Sequence, residues 1–248
     1  FFKECQRAYG QPALMFSGGA TLGLFHTGVC KALLEQDLMP RVLSGSSAGA
    51  IMTGMLGVSS AEKIPELLKG EHFFSDAFKF RKISELIRGH GGIADVMYLK
   101  KFLMQNLGDV TFAEAYQQSK RHINIVIAPY NTAQNPRIMN ALTAPNVLVW
   151  SAVLASCAVP VLFPPVHLTS KRYDGQHTPY LANTKWVDGS MRSDFPQEKM
   201  ARLYNINYTI ASQVNPHIVP FMQSDTDRFR RDVLNWPERL IRHQGKAI

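Results

Sequence analysis

The chain has 248 residues, 46% of them hydrophobic and 19% charged, with a formal net charge of +8. That apolar share is enough to bury one large core, and no stretch reaches the ~18–20 uninterrupted apolar residues of a membrane span. The three cysteines, Cys5, Cys30 and Cys157, are odd in number and widely spaced, which excludes a disulfide framework and a metal-binding spelling. Cys30 and Cys157 stand among small or apolar residues and read as buried thiols. The positive charge is scattered in short groups such as Lys79-Phe80-Arg81-Lys82, Lys100-Lys101 and Arg228-Phe229-Arg230-Arg231. No nucleic-acid module accompanies them, so they read either as ordinary solvated faces or, where they bind a partner, as contacts for lipid headgroups. The chain opens on Phe1 and stops inside a helical pattern at Glu238–Ile248, so it is expected to be a piece of a longer protein. No signal peptide is visible in it.

In chain order, a short apolar strand at Ala13–Phe16 enters a glycine loop, and a helix runs on through Leu34. A second strand at Arg41–Leu43 turns into a helix that starts near Ser47. Strand, helix, strand, helix is the rhythm of a parallel sheet with helices on its faces. A helix-rich stretch follows from Ala61 to Lys120, and its last helix opens with the capping-box spelling Thr111-Phe112-Ala113-Glu114. Ile123–Ala128 reads as a strand ended by Pro129, and Asn146–Ala155 as a turn and helix. Val159–Val166 is a proline-rich apolar loop. Lys185–Val187 is a short strand leading to Asp188, and Ile206–Val214 a late one. No repeat or linker divides the chain, so residues 1–248 are expected to form one α/β domain.

Three turns carry candidate chemistry. Gly45-Ser46-Ser47-Ala48-Gly49 has the spacing of a nucleophile elbow, where a serine sits in a strained conformation between strand and helix. Side chains two residues to either side would collide at such a turn, and Gly45 and Gly49 remove them. The following helix points its positive end at Ser47, where negative charge develops in acyl transfer. The loop Gly18-Gly19-Ala20 offers backbone N–H groups with nothing large in the way, an arrangement suited to an oxyanion. A nucleotide-binding loop is the other use of such glycines, but the Lys-Ser/Thr ending and the full GxGxxG are missing. A serine attacks only if its proton is accepted, and two acceptors stand out. Asp188, in Asp188-Gly189-Ser190, closes a strand. His217, just after the late strand, completes the order Ser47, Asp188, His217 found in α/β-hydrolase triads.

The three turns in this order, with Gly23 closing Gly18-Gly19-Ala20-Thr21-Leu22-Gly23, resemble the signatures of patatin-like phospholipases. Further blocks agree. Leu22-Gly23-Leu24-Phe25-His26-Thr27-Gly28-Val29 is similar to the helix after the glycine loop in triacylglycerol lipases of that family. Ala155-Ser156-Cys157-Ala158-Val159-Pro160, continued by Phe163-Pro164-Pro165, is similar to another family block. The stretch from Trp186 through Pro220 is similar to plant and fungal lipid-droplet triacylglycerol lipases and their bacterial relatives. The matching blocks span about residues 13 to 220.

The resemblance implies a three-layer α/β/α fold with a mostly parallel sheet, and a serine acyl hydrolase of glycerolipids acting peripherally at a membrane or lipid-droplet surface. It implies a Ser–Asp dyad, with Ser47 as nucleophile, Asp188 as general base and Gly18, Gly19 and Ala20 as oxyanion hole. Gly23, Gly45, Gly49 and Gly189 would support these turns. No cofactor or metal is implied, and no nucleic-acid partner. Three positions depart from the pattern. Ala20 replaces a common glycine but keeps its N–H. Leu22 stands where plant patatins carry arginine, as in animal triacylglycerol lipases of the family, and argues for a neutral-lipid or lysolipid preference. Asp194 replaces an asparagine and sets a second carboxylate near the site, expected either to compete for the role of base or to raise the pKa of Asp188. Glu71–Gly92, mixing Phe73, Phe74, Phe78 and Phe80 with Lys79, Arg81, Lys82 and Arg88, reads either as an interfacial lid or as an ordinary core helix. Val159–Val166 is the candidate wall for an acyl chain.

Overall fold

The computed structural model describes residues 4, 8–69, 96–130, 134–160, 163–190 and 195–215. Phe1–Val214 make one compact unit and Asn215–Ile248 a second; every element named below lies in the first.

Its centre is a sheet ordered β4-β3-β2-β1-β8. The strands are β1 (Gln11–Phe16), β2 (Val42–Gly45), β3 (His122–Pro129), β4 (Arg137–Met139) and β8 (Ile206–Ser212). β1 pairs in parallel with β2 and β8, and β2 in parallel with β3. Parallel strands covered on both faces should be apolar throughout, and β1 is, with Ala13 to Phe16 fully buried. Its alternate residues divide between two cores. Leu14 and Phe16 join Leu43, Ile123, Ile125 and Ile127 in the larger core on one face. Ala13 and Met15 join Val42, Ile138, Met200 and Tyr204 on the other.

The larger core is closed by α1 (Phe25–Glu35), α2 (Ala48–Val58), α3 (Ile64–Leu67), α4 (Val96–Leu107), α5 (Phe112–Ser119) and α6 (Val149–Ser156). The opposite face is covered by α7 (Gln197–Tyr204). The result is the expected α/β/α sandwich. α2 is the central helix, with every residue from Ala48 to Gly57 buried. A helix apolar all round needs partners all round, and its glycines let them come close. A Cβ on Gly54 would lie 3.1 Å from Val153 Cγ2, and one on Gly57 would strike Ile123. Burying a side chain such as Ile51 or Leu56 completely contributes about 1.5–3 kcal/mol. The capping box of α5 forms as its spelling predicts: Thr111 Oγ1 accepts from Glu114 N at 3.2 Å, and Thr111 N donates to Glu114 Oε2 at 2.8 Å.

Two strands determine where the site lies. β3 has two edges, and Ile127 pairs with both Arg137 of β4 and Asp188 of β7 (Trp186–Asp188). These partners therefore occupy opposite edges. Ile125 likewise pairs with Met139 of β4 and Gly45 of β2. So β2 and β7 share one edge of β3 and meet end to end, β7 running antiparallel into the space where β2 stops. Gly45 and Asp188 stand opposite residues two apart on β3, a separation of roughly 7 Å. The remaining strands, β5 (Leu168–Lys171) and β6 (His177–Tyr180), form an antiparallel hairpin. Among the described residues no helix is long and apolar enough to cross a membrane.

Candidate active site

Ser47 stands between β2 and α2 with φ 52° and ψ −120°, a region that non-glycine residues seldom enter and that costs about 1–3 kcal/mol. The glycines around it show why the turn closes. A Cβ on Gly45 would run into the Gly49 carbonyl and lie 2.5 Å from Thr53 Oγ1, and a Cβ on Gly49 would strike the Phe16 backbone. Ser46 N donates to Phe16 O at 3.3 Å, docking the turn onto the end of β1.

The strained residue is gripped from the C-terminal turn of α6. Ser47 N donates to Ser156 Oγ at 3.0 Å, and Ser156 Oγ donates to Val126 O of β3 at 2.7 Å. The Cys157 thiol donates to Ser47 O at 3.4 Å. Burial and the neighbouring Asp188 charge push that thiol well above its ordinary range, so it stays a neutral donor. The next residue holds the third turn, because Asp188 N donates to Ala158 O at 3.0 Å. Three consecutive residues, Ser156, Cys157 and Ala158, thus join the elbow to the aspartate turn.

Asp188 is 2% exposed and Ser47 6%. Ser190 N donates to Asp188 Oδ1 at 2.7 Å, which ties the carboxylate to its own turn. Gly189 lets that turn lie against β3, where a Cβ would come within 2.9 Å of Ile127 N. Gly18 brings the glycine loop to the same place. A Cβ there would be 3.3 Å from Ser47 Cβ and 3.5 Å from Ser190 Oγ, so the loop touches the elbow and the aspartate turn at once. Gly19, with φ 153°, and Ala20, with φ 49°, both hold backbone conformations that favour glycine. Gly23 is buried in the 3-10 turn Ala20–Leu24 that follows. On the outer side of this turn Leu22, Leu24 and Phe25 are exposed, Phe25 at 60%.

His217, Asp194 and the segment Glu71–Gly92 lie outside the described residues. Val159–Val166 is described except at 161–162; Phe163 is buried, and Val166 bridges to Trp186 at the start of β7. In the sequence Ser156 stands only as part of a resembling block and Cys157 reads only as a buried thiol; neither carries a role at Ser47. Their partner Ser47 is over a hundred residues away, and no local pattern encodes such a bond. His26 was likewise a letter in a block. It is fully buried, and both its ring nitrogens face partners.

A mostly parallel sheet whose strand end carries a strained serine, beside a buried carboxylate turn and a glycine loop, defines an α/β protein with a strand–serine–helix elbow. The family model for patatin-like phospholipase matches residues 14–200, and the chain belongs to that family. It is 41% identical over 236 residues to triacylglycerol lipase 4 of Saccharomyces cerevisiae, covering 89% of this chain and 26% of that protein. It is 35% identical over 270 residues to triacylglycerol lipase SDP1L of Arabidopsis thaliana, covering all of this chain and 34% of that one. The chain therefore spans about a quarter to a third of the length of these relatives. Among solved structures, VipD from Legionella pneumophila superposes over 82% of this chain and 49% of its own, with a TM-score of 0.51 at 14% identity. That similarity is one of fold.

Proposed function

We propose that this chain is the catalytic unit of a lipid acyl hydrolase that cleaves carboxylic ester bonds of glycerolipids with a Ser47–Asp188 dyad. Ser47 Oγ attacks the ester carbonyl and its proton passes to the Asp188 carboxylate. The carbonyl oxygen becomes an oxyanion, held by backbone N–H groups of Gly18, Gly19 and Ala20 at the positive end of α2. Collapse releases the alcohol part of the lipid, which takes the proton back, and leaves an acyl-serine. A water molecule, deprotonated by the same aspartate, attacks that ester; the proton passes from Asp188 to the departing Ser47 Oγ, and the fatty acid is freed.

The observation that carries this reading is the meeting of the three turns, with Gly18 against both Ser47 and Ser190. The relatives named as triacylglycerol lipases and the patatin-like phospholipase family model support an acylglycerol or phospholipid substrate. The exposed Leu22, Leu24 and Phe25 beside the glycine loop give an acyl chain or a lipid surface somewhere apolar to lie. Docking is peripheral, at a membrane or lipid-droplet surface, and the surplus of positive charge favours anionic headgroups there.

The test is hydrolysis of a medium-chain acyl ester and of emulsified triacylglycerol, with folding checked by circular dichroism. Ser47→Ala should abolish turnover. Asp188→Asn should lower kcat by roughly the 10²–10⁴ that a general base supplies. An Asp188→Asn enzyme that keeps wild-type kcat would show that another group, His217 being the first to examine, takes the proton.

A further inference from the structure

We propose that His26 is a positioning residue that aims the oxyanion-binding amides, by holding the carbonyl on the far side of the first peptide of the glycine loop. This rests on the reading of that loop as the oxyanion cradle.

His26 Nε2 lies 3.0 Å from Ser17 O and Nδ1 lies 2.7 Å from Ser212 Oγ. A carbonyl oxygen only accepts, so Nε2 carries the proton. In the neutral ring Nδ1 is then an acceptor, and the Ser212 hydroxyl donates to it. Burial favours the neutral ring by pushing the imidazole below its ordinary range, against a smaller opposing effect of the Ser17 bond. With both nitrogens committed inside the protein, His26 is unsuited to take a proton from Ser47.

The bond to Ser17 O has a consequence one atom further on. The peptide Ser17–Gly18 is planar and trans, so its C=O and N–H point in opposite directions. Fixing the carbonyl toward His26 fixes the Gly18 N–H to the other side. A second clamp repeats the device. Ser17 Oγ donates to Gly18 O at 2.7 Å, which sets the plane of the next peptide and therefore the direction of Gly19 N–H. Ser17 Oγ in turn accepts from Val214 N at 2.9 Å, so its own proton is committed to Gly18 O. Ser17 N donates to Ser212 O at 3.0 Å. Both clamps are thus anchored at the end of β8, a strand on the opposite side of β1 from the elbow. The Phe16 ring meets His26 edge-on at 5.1 Å and holds the imidazole in its plane. Glycine at 18 and 19 leaves the loop without side chains to define its path, so these two carbonyl bonds supply the definition that the residues themselves lack.

The experiment measures kcat and KM on a soluble short-chain ester, per serine site titrated to completion with a fluorophosphonate. The proteins are the wild type, His26→Leu, His26→Gln and Ser17→Ala, with Ser47→Ala as control. Titration removes misfolded protein from the rate, which a purely structural role would not survive. His26→Leu should lower kcat per site by roughly 10–100-fold with KM within about threefold, less than the ~10²–10³ of deleting a donor outright. His26→Gln, whose amide N–H reaches toward Ser17 O, should recover most of that loss. Ser17→Ala should lower kcat about tenfold through the second clamp, and it keeps the question open to test if His26→Leu does not fold. Wild-type kcat per site in His26→Leu or Ser17→Ala would overturn the inference, as would Gln behaving like Leu. A wild-type chain without esterase activity, or a Ser47→Ala protein as active as wild type, would overturn the reading of the site itself and this inference with it.

Discussion

Among the hydrogen-bonded polar clusters that tie distant parts of this chain together, two differ sharply in what surrounds them. At the elbow, Ser156 and Cys157 grip the backbone of Ser47, and all three are buried. At the other cluster, the β5–β6 hairpin is fastened to the loop before α5 and to the first turn of that helix. Lys171 Nζ reaches Glu114 Oε2 at 2.8 Å and Asp109 O at 2.7 Å, and His177 Nε2 reaches Asp109 Oδ1 at 2.7 Å. Asp109 and His177 are largely exposed there. The bonds are of similar length, but water can replace only the second set. Charge does not decide which cluster matters: the elbow uses neutral hydroxyl, thiol and amide groups, and solvent exclusion makes each of them hard to substitute.

That contrast is broken most severely at Gly45. Its backbone is locked between β1 and β3, and its missing side chain makes room for the Gly49 carbonyl. Gly45→Ala should cost about 3 kcal/mol or more, at the top of the range for overpacking, because backbone meets backbone and neither can swing away. Urea unfolding measures it, and a loss under about 1 kcal/mol would mean the turn is looser than its contacts imply. Ser156→Ala is the next step down. It removes the acceptor of Ser47 N and the donor to Val126 O together, and leaving one such group unpaired costs about 1–3 kcal/mol. Since the lost bond is to the backbone of Ser47, the nucleophile proposed above, kcat per folded molecule should fall as well, by about tenfold. A variant that loses stability but keeps kcat would separate the clamp from the chemistry.

The legibility of the chain follows the same division. The three turns could be read because glycine, serine and aspartate at fixed spacing have few other reasons to occur together, and the fold confirmed a strand ending at Phe16 and another ending at Asp188. Cys30 and Cys157 were read as buried thiols from their neighbours, and both are. The hairpin β5–β6 escaped notice. Leu168-Thr169-Ser170-Lys171 and His177-Thr178-Pro179-Tyr180 show no apolar alternation, and Pro179 argues against a strand. They pair as antiparallel strands, and Ser170 Oγ bonds both Thr178 O and Thr178 Oγ1 across them. β4, three residues long, is defined by its pairing with β3 and carries no signal of its own. The roles of Ser156 and His26 were hidden for a different cause: a clamp is a relation between two places in the chain, and a pattern read along one stretch holds only half of it.

The smallest effect belongs to the exposed cluster, and it has a pH signature. Lys171→Met should cost no more than about 1 kcal/mol at neutral pH and leave kcat unchanged. Glu114 supplies the test. Partial burial pushes its carboxyl up, but the bonds from Lys171 and Thr111 outweigh that and hold it below its ordinary value of 4.5. A carboxyl with a lowered folded pKa stabilises the fold above its unfolded pKa, and the contribution is lost as the pH falls through the folded value. The difference in Tm between wild type and Lys171→Met should therefore be present at pH 7 and shrink below about pH 4.5 as Glu114 takes up its proton. A difference that persists unchanged in acid would mean the hairpin is held by the Lys171 bond to Asp109 O, whose strength does not depend on a carboxylate. A difference much above 1 kcal/mol would place this cluster beside the buried one and remove the distinction between them.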